Sequence, residues 1–141
     1  MLAIKTLKLR IKDKQARVLG QMAREVNQVF NFCNETSMRA ICERHQWLSG
    51  YDLQKLTAGY SQCEGVTVGS GTVQVVCAEY ATRRRQFKKA RLNWRVSNRK
   101  SAKHSLGWVP FKGGHAKYKA GQIEFAGHKF SLWDSHGLSK F

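Results

Sequence analysis

The sequence predicts an α+β fold in which both chain ends build a small antiparallel β-barrel or sheet around a helical insertion of about three helices. Three observations predict it. Leu7, Leu9 and Ile11 alternate with Lys8, Arg10 and Lys12, the period of two of a strand with one buried and one basic face. From Asp13 to about Arg95 the apolar residues recur at helical spacing. After residue 106 the period returns to two, in short runs broken by glycines. The expected layout is residues 1–12 as the first strand, 13–96 as the helical insertion, 97–106 as a basic linker and 107–141 as a β meander.

Asp13 is a candidate cap for a first helix that carries Val18, Met22, Val26, Val29, Phe30, Cys33 and Ile41 through about His45. Ser49 with Asp52 three residues on reads as a capping box for a short helix over Tyr51 to Gly59. Glu64 to Gly71 reads as a loop, and Ser70 or Thr72 as the cap of a third helix running from about Thr72 to Arg95. Val96 to Leu106 lacks apolar periodicity and is expected to be mobile. Trp108 to Phe111, Ala116 to Lys119, Gln122 to Ala126 and Lys129 to Trp133 are the β runs, separated by Gly113-Gly114, Ala120-Gly121 and Gly127-His128. So small a sheet is not stable alone, so the strand at Leu7 to Ile11 is expected to pair with it.

A hydrophobic content of 42% and four Trp argue for a folded chain. Lys and Arg number 25 against nine acids, and the pI is near 10.2, which points to a nucleic-acid partner ahead of an anionic membrane. The opening MLAIKTLKLRIKDK has no uninterrupted apolar run, so neither a signal peptide nor a membrane span is expected and the reading is intracellular. Cys33, Cys42, Cys63 and Cys77 form no C-x-x-C pair and have no His at ligand spacing; Cys33 and Cys77 read as small buried hydrophobes. The acids are spread out and the histidines make no H-x-H or H-E-x-x-H motif, so no catalytic residue, metal ligand or cofactor is assigned.

The charge is concentrated. Thirteen Lys or Arg fall between Tyr80 and Gln122, and no acid occurs between Glu79 and Glu124. On a helix, Tyr80, Phe87 and Trp94 share one stripe, and Arg84, Lys88, Arg91 and Arg95 form a second beside it. Tyr80 and Phe87 read as core. The basic stripe lacks the partner acids of an ordinary solvated face and calls for an anion. A polyanion carrying flat bases fits both stripes.

The opening KTLKLRIKDKQ, the helix REVNQVFNFCNE, LSGYDLQKLTAG, the EYATRRRQFKKA run and the closing LGWVPFKGGHAKYKAGQIEFAGHKFSLWDSHGL together resemble the N-terminal part of TnpB/OrfB-type insertion-sequence proteins, relatives of the type V CRISPR effectors. The likeness spans nearly the whole chain, through a series of segments and no single active-site motif. It implies a wedge-like β-barrel with a helical recognition domain, often labelled a helix-turn-helix transposase domain. It also implies an RNA-guided DNA endonuclease whose RuvC-like nuclease domain would begin about where this chain ends, and whose divalent metal, expected to be Mg, would sit there. None of the family's catalytic acids has a match in this chain. The implied partners are guide RNA and DNA, gripped through backbone shape. The resemblance also narrows the intracellular setting to a bacterial cytoplasm, beside the nucleoid.

On that mapping Arg84, Lys88, Arg91 and Arg95 lie along guide or heteroduplex phosphates, with Arg83 and Lys112 from the same basic segment. Arg99, Lys100 and Lys103 add contacts that order on binding, and Lys8, Arg10 and Lys12 face the RNA scaffold. Trp94 and Trp108 suit either base stacking or core packing. Trp94 is kept among the candidate contacts. The competing readings are a nuclease or transposase in its own right, which lacks a carboxylate cluster, and a sequence-specific helix-turn-helix DNA-binding protein of a transposon.

Overall fold

A computed structural model describes residues 10–89, 91–98, 100–102, 108–112, 116–119, 122–125 and 128–133. A two-residue strand β1 (Arg10–Ile11) and a 3₁₀ turn (Asp13–Gln15) lead into α1 (Ala16–Arg44). Asp13 sits inside that turn, and the N-cap position of α1 falls to Gln15, so Asp13 is not the residue that caps the helix. Met22, Val26, Val29, Phe30 and Cys33 repeat every three or four residues, and all five are buried. The helix stops where His45 takes the left-handed conformation (φ 52°). There the amides of His45 and Gln46 donate to Ile41 and Ala40 (3.0 and 3.1 Å), closing the last carbonyls.

Ser49 then opens α2 (Gly50–Leu56) with the predicted capping box. The Asp52 amide donates to Ser49 Oγ (3.1 Å), and the Ser49 amide donates to the Asp52 carboxylate (3.0 Å). The helix is shorter than Tyr51 to Gly59 because Thr57 to Gly59 leave it as a turn that feeds a 3₁₀ turn at Tyr60–Gln62. The loop after it is anchored by the buried Glu25 of α1. Its carboxylate accepts from the Thr67 amide (2.9 Å), the Thr67 hydroxyl (2.8 Å) and the Val68 amide (3.0 Å), which compensates for burying a charge.

The third helix, α3 (Ser70–Phe87), departs from expectation at both ends. Its N-cap is Gly69, with no side-chain cap, so neither Ser70 nor Thr72 serves. It ends at Phe87, well short of Arg95. Lys88 adopts the left-handed conformation (φ 52°), and the Lys89 amide bonds back to the Arg84 carbonyl (3.3 Å). Beyond it the backbone of Leu92 and Arg95 is held by asparagine side chains of α1, in place of helical partners. Trp94, Arg91 and Arg95 therefore leave the stripes drawn for them.

The strands β2 (Ala116–Lys119), β3 (Gln122–Phe125) and β4 (His128–Trp133) form the predicted meander, paired Lys119 with Gln122 and Phe125 with His128. The β1 strand pairs with β4, Arg10 opposite Trp133 and Ile11 opposite Leu132, giving the order β1-β4-β3-β2. The two chain ends thus meet in one sheet, as the need to pair the first strand required. Among the described residues this is an open sheet, not a barrel. Trp108 to Phe111, expected as a strand, is irregular. It packs by side chains instead, with the Phe111 ring 5.2 Å from that of Phe125. The expected turns Gly113-Gly114 and Ala120-Gly121, the start of the first strand at Leu7, and residues 103–106 of the linker lie outside the described residues.

One core joins the two parts. Phe125 and Phe130 of the sheet belong to the same buried cluster as Met22, Phe30, Leu53, Val76 and Tyr80. The Tyr80 ring meets Phe30 edge-on at 5.3 Å between centroids.

Candidate nucleic-acid interface

Three asparagines on α1, Asn27, Asn31 and Asn34, recur at helical spacing and face the chain that follows α3. Asn34 donates to the Leu92 carbonyl (2.6 Å) and accepts from the Leu92 amide (2.9 Å). Asn31 does the same for Arg95, at 2.9 and 2.8 Å. Asn27 donates to the Ser97 hydroxyl (3.0 Å). Asn31 and Asn34 act as a strand edge would, each offering one donor and one acceptor to a passing backbone. The segment from residue 91 to Ser97 is consequently pinned, which corrects the expectation of a mobile linker beginning at Val96. The Tyr80 hydroxyl completes the arrangement by donating to Asn34 Oδ1 (3.0 Å), deep in the core.

Pinning this segment against the end of α3 creates a cleft of about 860 Å³. Among the described residues four cations line it, Arg83, Lys89, Arg91 and Arg95, and no acid does. Phe87 and Trp94 line it too, 60% and 43% exposed. Phe87 was expected in the core; because α3 ends there, its ring stands at the cleft instead. Phe30 contributes the floor.

Arg95 shows how the cleft is built. Its guanidinium carbon lies 4.3 Å from the Phe30 ring centre and 4.9 Å from that of Trp108. Desolvation there, followed by repulsion from Arg83, pushes its pKa below the usual arginine value. Its Nε is buried without a hydrogen-bond partner among the described residues. Trp108, also within 5.7 Å of the Arg83 guanidinium, is thereby committed to packing, while Trp94 stays on the open side. Arg83 also pairs with Glu79 at 3.0 Å, an i,i+4 pair on a half-exposed face that contributes only a few tenths of a kcal/mol, about 0.3–0.5. That pair is too weak to withhold Arg83 from a stronger anion.

Of the predicted contacts, the structure thus brings Arg83, Arg91, Trp94 and Arg95 together. Arg84 and Lys88 lie on the other flank of α3, and Arg84 is buried rather than displayed. Lys112 bonds Gln74, in the first half of α3. Lys100 is exposed beside a tight turn, its amide donating to Asn98 Oδ1 (3.0 Å). Lys12 is half-buried at the sheet edge, its amide donating to the Ser131 carbonyl (2.9 Å), and Arg10 enters through the β1 backbone. Lys8, Arg99 and Lys103 lie outside the described residues. The sequence reading missed Lys89, Phe87 and Phe30 as cleft residues, and the three asparagines as its scaffold. Their signal was available: three poor helix formers on one face of a helix with a buried interior call for partners.

Among the described residues no group of three or more His, Cys, Asp or Glu is placed to hold a metal ion, and no helix is long and apolar enough to cross a membrane. No protein-family model, no curated protein and no solved structure matches the chain.

Proposed function

We propose that this chain is a nucleic-acid-binding module whose cleft between the end of α3 and the pinned segment grips single-stranded or partly unpaired nucleic acid. The observation that carries the reading is the union, in one cleft, of four cations with two exposed aromatic rings and, among the described residues, no acid. Phosphates need the cations, and unpaired bases need the rings. The resemblance to the N-terminal part of TnpB-type proteins supplies the partners: a guide RNA, and DNA held beside it. The chain grips and does not cut, and the nuclease chemistry of such a system belongs to a RuvC-like domain outside these residues.

A helix-turn-helix DNA-binding role is the weaker reading, since residues 57–69 separate α2 from α3 where that motif uses a turn of about three to four residues. The test is fluorescence anisotropy with single-stranded RNA and with Phe87→Ala and Trp94→Ala variants. Stacking contributes about 1–3 kcal/mol per base, so each variant is expected to weaken binding at least about fivefold without lowering the melting temperature. Unchanged affinity in both variants would remove the cleft from the reading.

A further inference from the structure

A second cleft, of about 440 Å³, lies on the opposite flank of the same helix end. It is formed by Trp47 to Gly50 against Ala81, Arg84, Arg85 and Lys88. Gly50 lies at the closest approach of α2 to α3: a Cβ there would stand 3.4 Å from the Ala78 backbone and 3.5 Å from the Ala81 side chain, in ordinary van der Waals contact. Among the described residues three cations line this cleft and no acid does. Trp47 is 58% exposed at its edge, one of the most exposed large apolar side chains described.

Arg84 gives the cleft its chemistry. It is only 6% exposed, its guanidinium carbon lies 5.4 Å from the Trp47 ring centre and 5.6 Å from that of Tyr80, and Nη2 donates to the Leu48 carbonyl. Its Nη1 is buried with no hydrogen-bond partner among the described residues. No carboxylate pairs with it among the described residues. A buried guanidinium with a spare donor, under an exposed indole and beside two further cations, is a receptor for an anion joined to a flat ring.

The two clefts adjoin. Arg83 and Phe87 line the first, while Arg84, Arg85 and Lys88 line the second, so the last turn of α3 is the ridge between them. We propose that the Trp47–Arg84 cleft is a second nucleotide site, on which a single strand leaving the first cleft lays a further base on Trp47 and its phosphate on Arg84, Arg85 and Lys88. This inference rests on the nucleic-acid reading of the first cleft and adds a path across α3, and hence a minimum length of strand.

The test compares oligouridines of about four and about twelve nucleotides, lengths within the range single-strand sites occupy. It uses the full chain and the variants Trp47→Ala, Lys88→Glu and Trp94→Ala. Both Trp47 and Lys88 are exposed, so their variants keep the fold, checked by circular dichroism. The longer strand is expected to bind more tightly, and Trp47→Ala or Lys88→Glu to erase about tenfold of that gain, whereas Trp94→Ala weakens both lengths. If Trp94→Ala weakens binding but the gain with length survives both Trp47→Ala and Lys88→Glu, the second site is refuted and the first stands. If neither length binds the wild-type chain, both readings fall. Displacement of the longer strand by polyglutamate as readily as by unlabelled oligouridine would overturn the nucleotide assignment in favour of an acidic protein partner.

Discussion

Replacing Asn34 by Ala removes the residue that joins the helical core to the wall of the first cleft. Asn34 is fully buried and makes three hydrogen bonds, two to Leu92 and one from Tyr80. Each contributes about 1 kcal/mol, and the stranded Tyr80 hydroxyl adds a desolvation cost of about 1–3 kcal/mol. Alanine returns about 0.5 kcal/mol as the better helix former. The net loss expected in urea unfolding is therefore about 3.5–5.5 kcal/mol, above the usual range for a point substitution. Tyr80→Phe alone should cost about 1 kcal/mol, and in the Asn34→Ala background nothing or less, because the hydroxyl it removes is already unpaired. The expected coupling is about 1–2 kcal/mol. Equal costs for Tyr80→Phe in the two backgrounds would refute the network. The milder Asn31→Ala, which loosens only Arg95, should keep the fold and weaken RNA binding.

The remaining predictions concern local chemistry. The Ser49 amide holds the Asp52 carboxyl below the usual carboxylate range. This depressed pKa means that the capping box stabilises α2 above the ordinary carboxylate pKa, near 4, and that the contribution is lost as pH falls through the lower folded value. Asp52→Asn should flatten that acid limb in a circular-dichroism titration, and Ser49→Ala should cost about 1 kcal/mol at neutral pH. Cys42 and Cys63 are exposed, whereas Cys33 and Cys77 are buried with their sulfurs 3.7 Å apart; the hydrogen bond to Cys77, and then burial, push the Cys33 thiol up. A thiol reagent should accordingly label two cysteines at once and the other two only on unfolding. Rapid labelling of all four would contradict the packing of α1 on α3.

The parts of this fold legible in the sequence were those set by local period and turn chemistry. The apolar spacing of α1, the Ser49–Asp52 box and the alternation of the last three strands each act within a few residues, and each appears about where the pattern put it. The pairing of β1 with β4 was reached by exclusion, since the first strand needed a partner. The end of α3 was not legible, because Phe87 to Arg95 carries acceptable helix formers and the competing bonds come from Asn31 and Asn34, some sixty residues earlier. That one tertiary override broke the assumed stripes, exposed Phe87 and carried Arg91 and Arg95 away from Arg84, whose burial comes instead from the Trp47–Leu48 segment. The charge of the site was therefore visible in the sequence, while its geometry depended on asparagines that the basic pattern did not point to.

The most direct test of the account is the affinity of the purified chain for single-stranded RNA across a salt series, beside a polyanion without bases, such as polyphosphate. Each phosphate neutralised on a single strand adds about −0.7 to the slope of log K against log salt, so engagement of the four cleft cations predicts a slope near −3 or steeper. The account predicts that RNA retains a clear advantage over polyphosphate at every salt concentration, because Trp94 and Phe87 hold bases as well as charge. Equal affinities and equal slopes for the two polymers would contradict it.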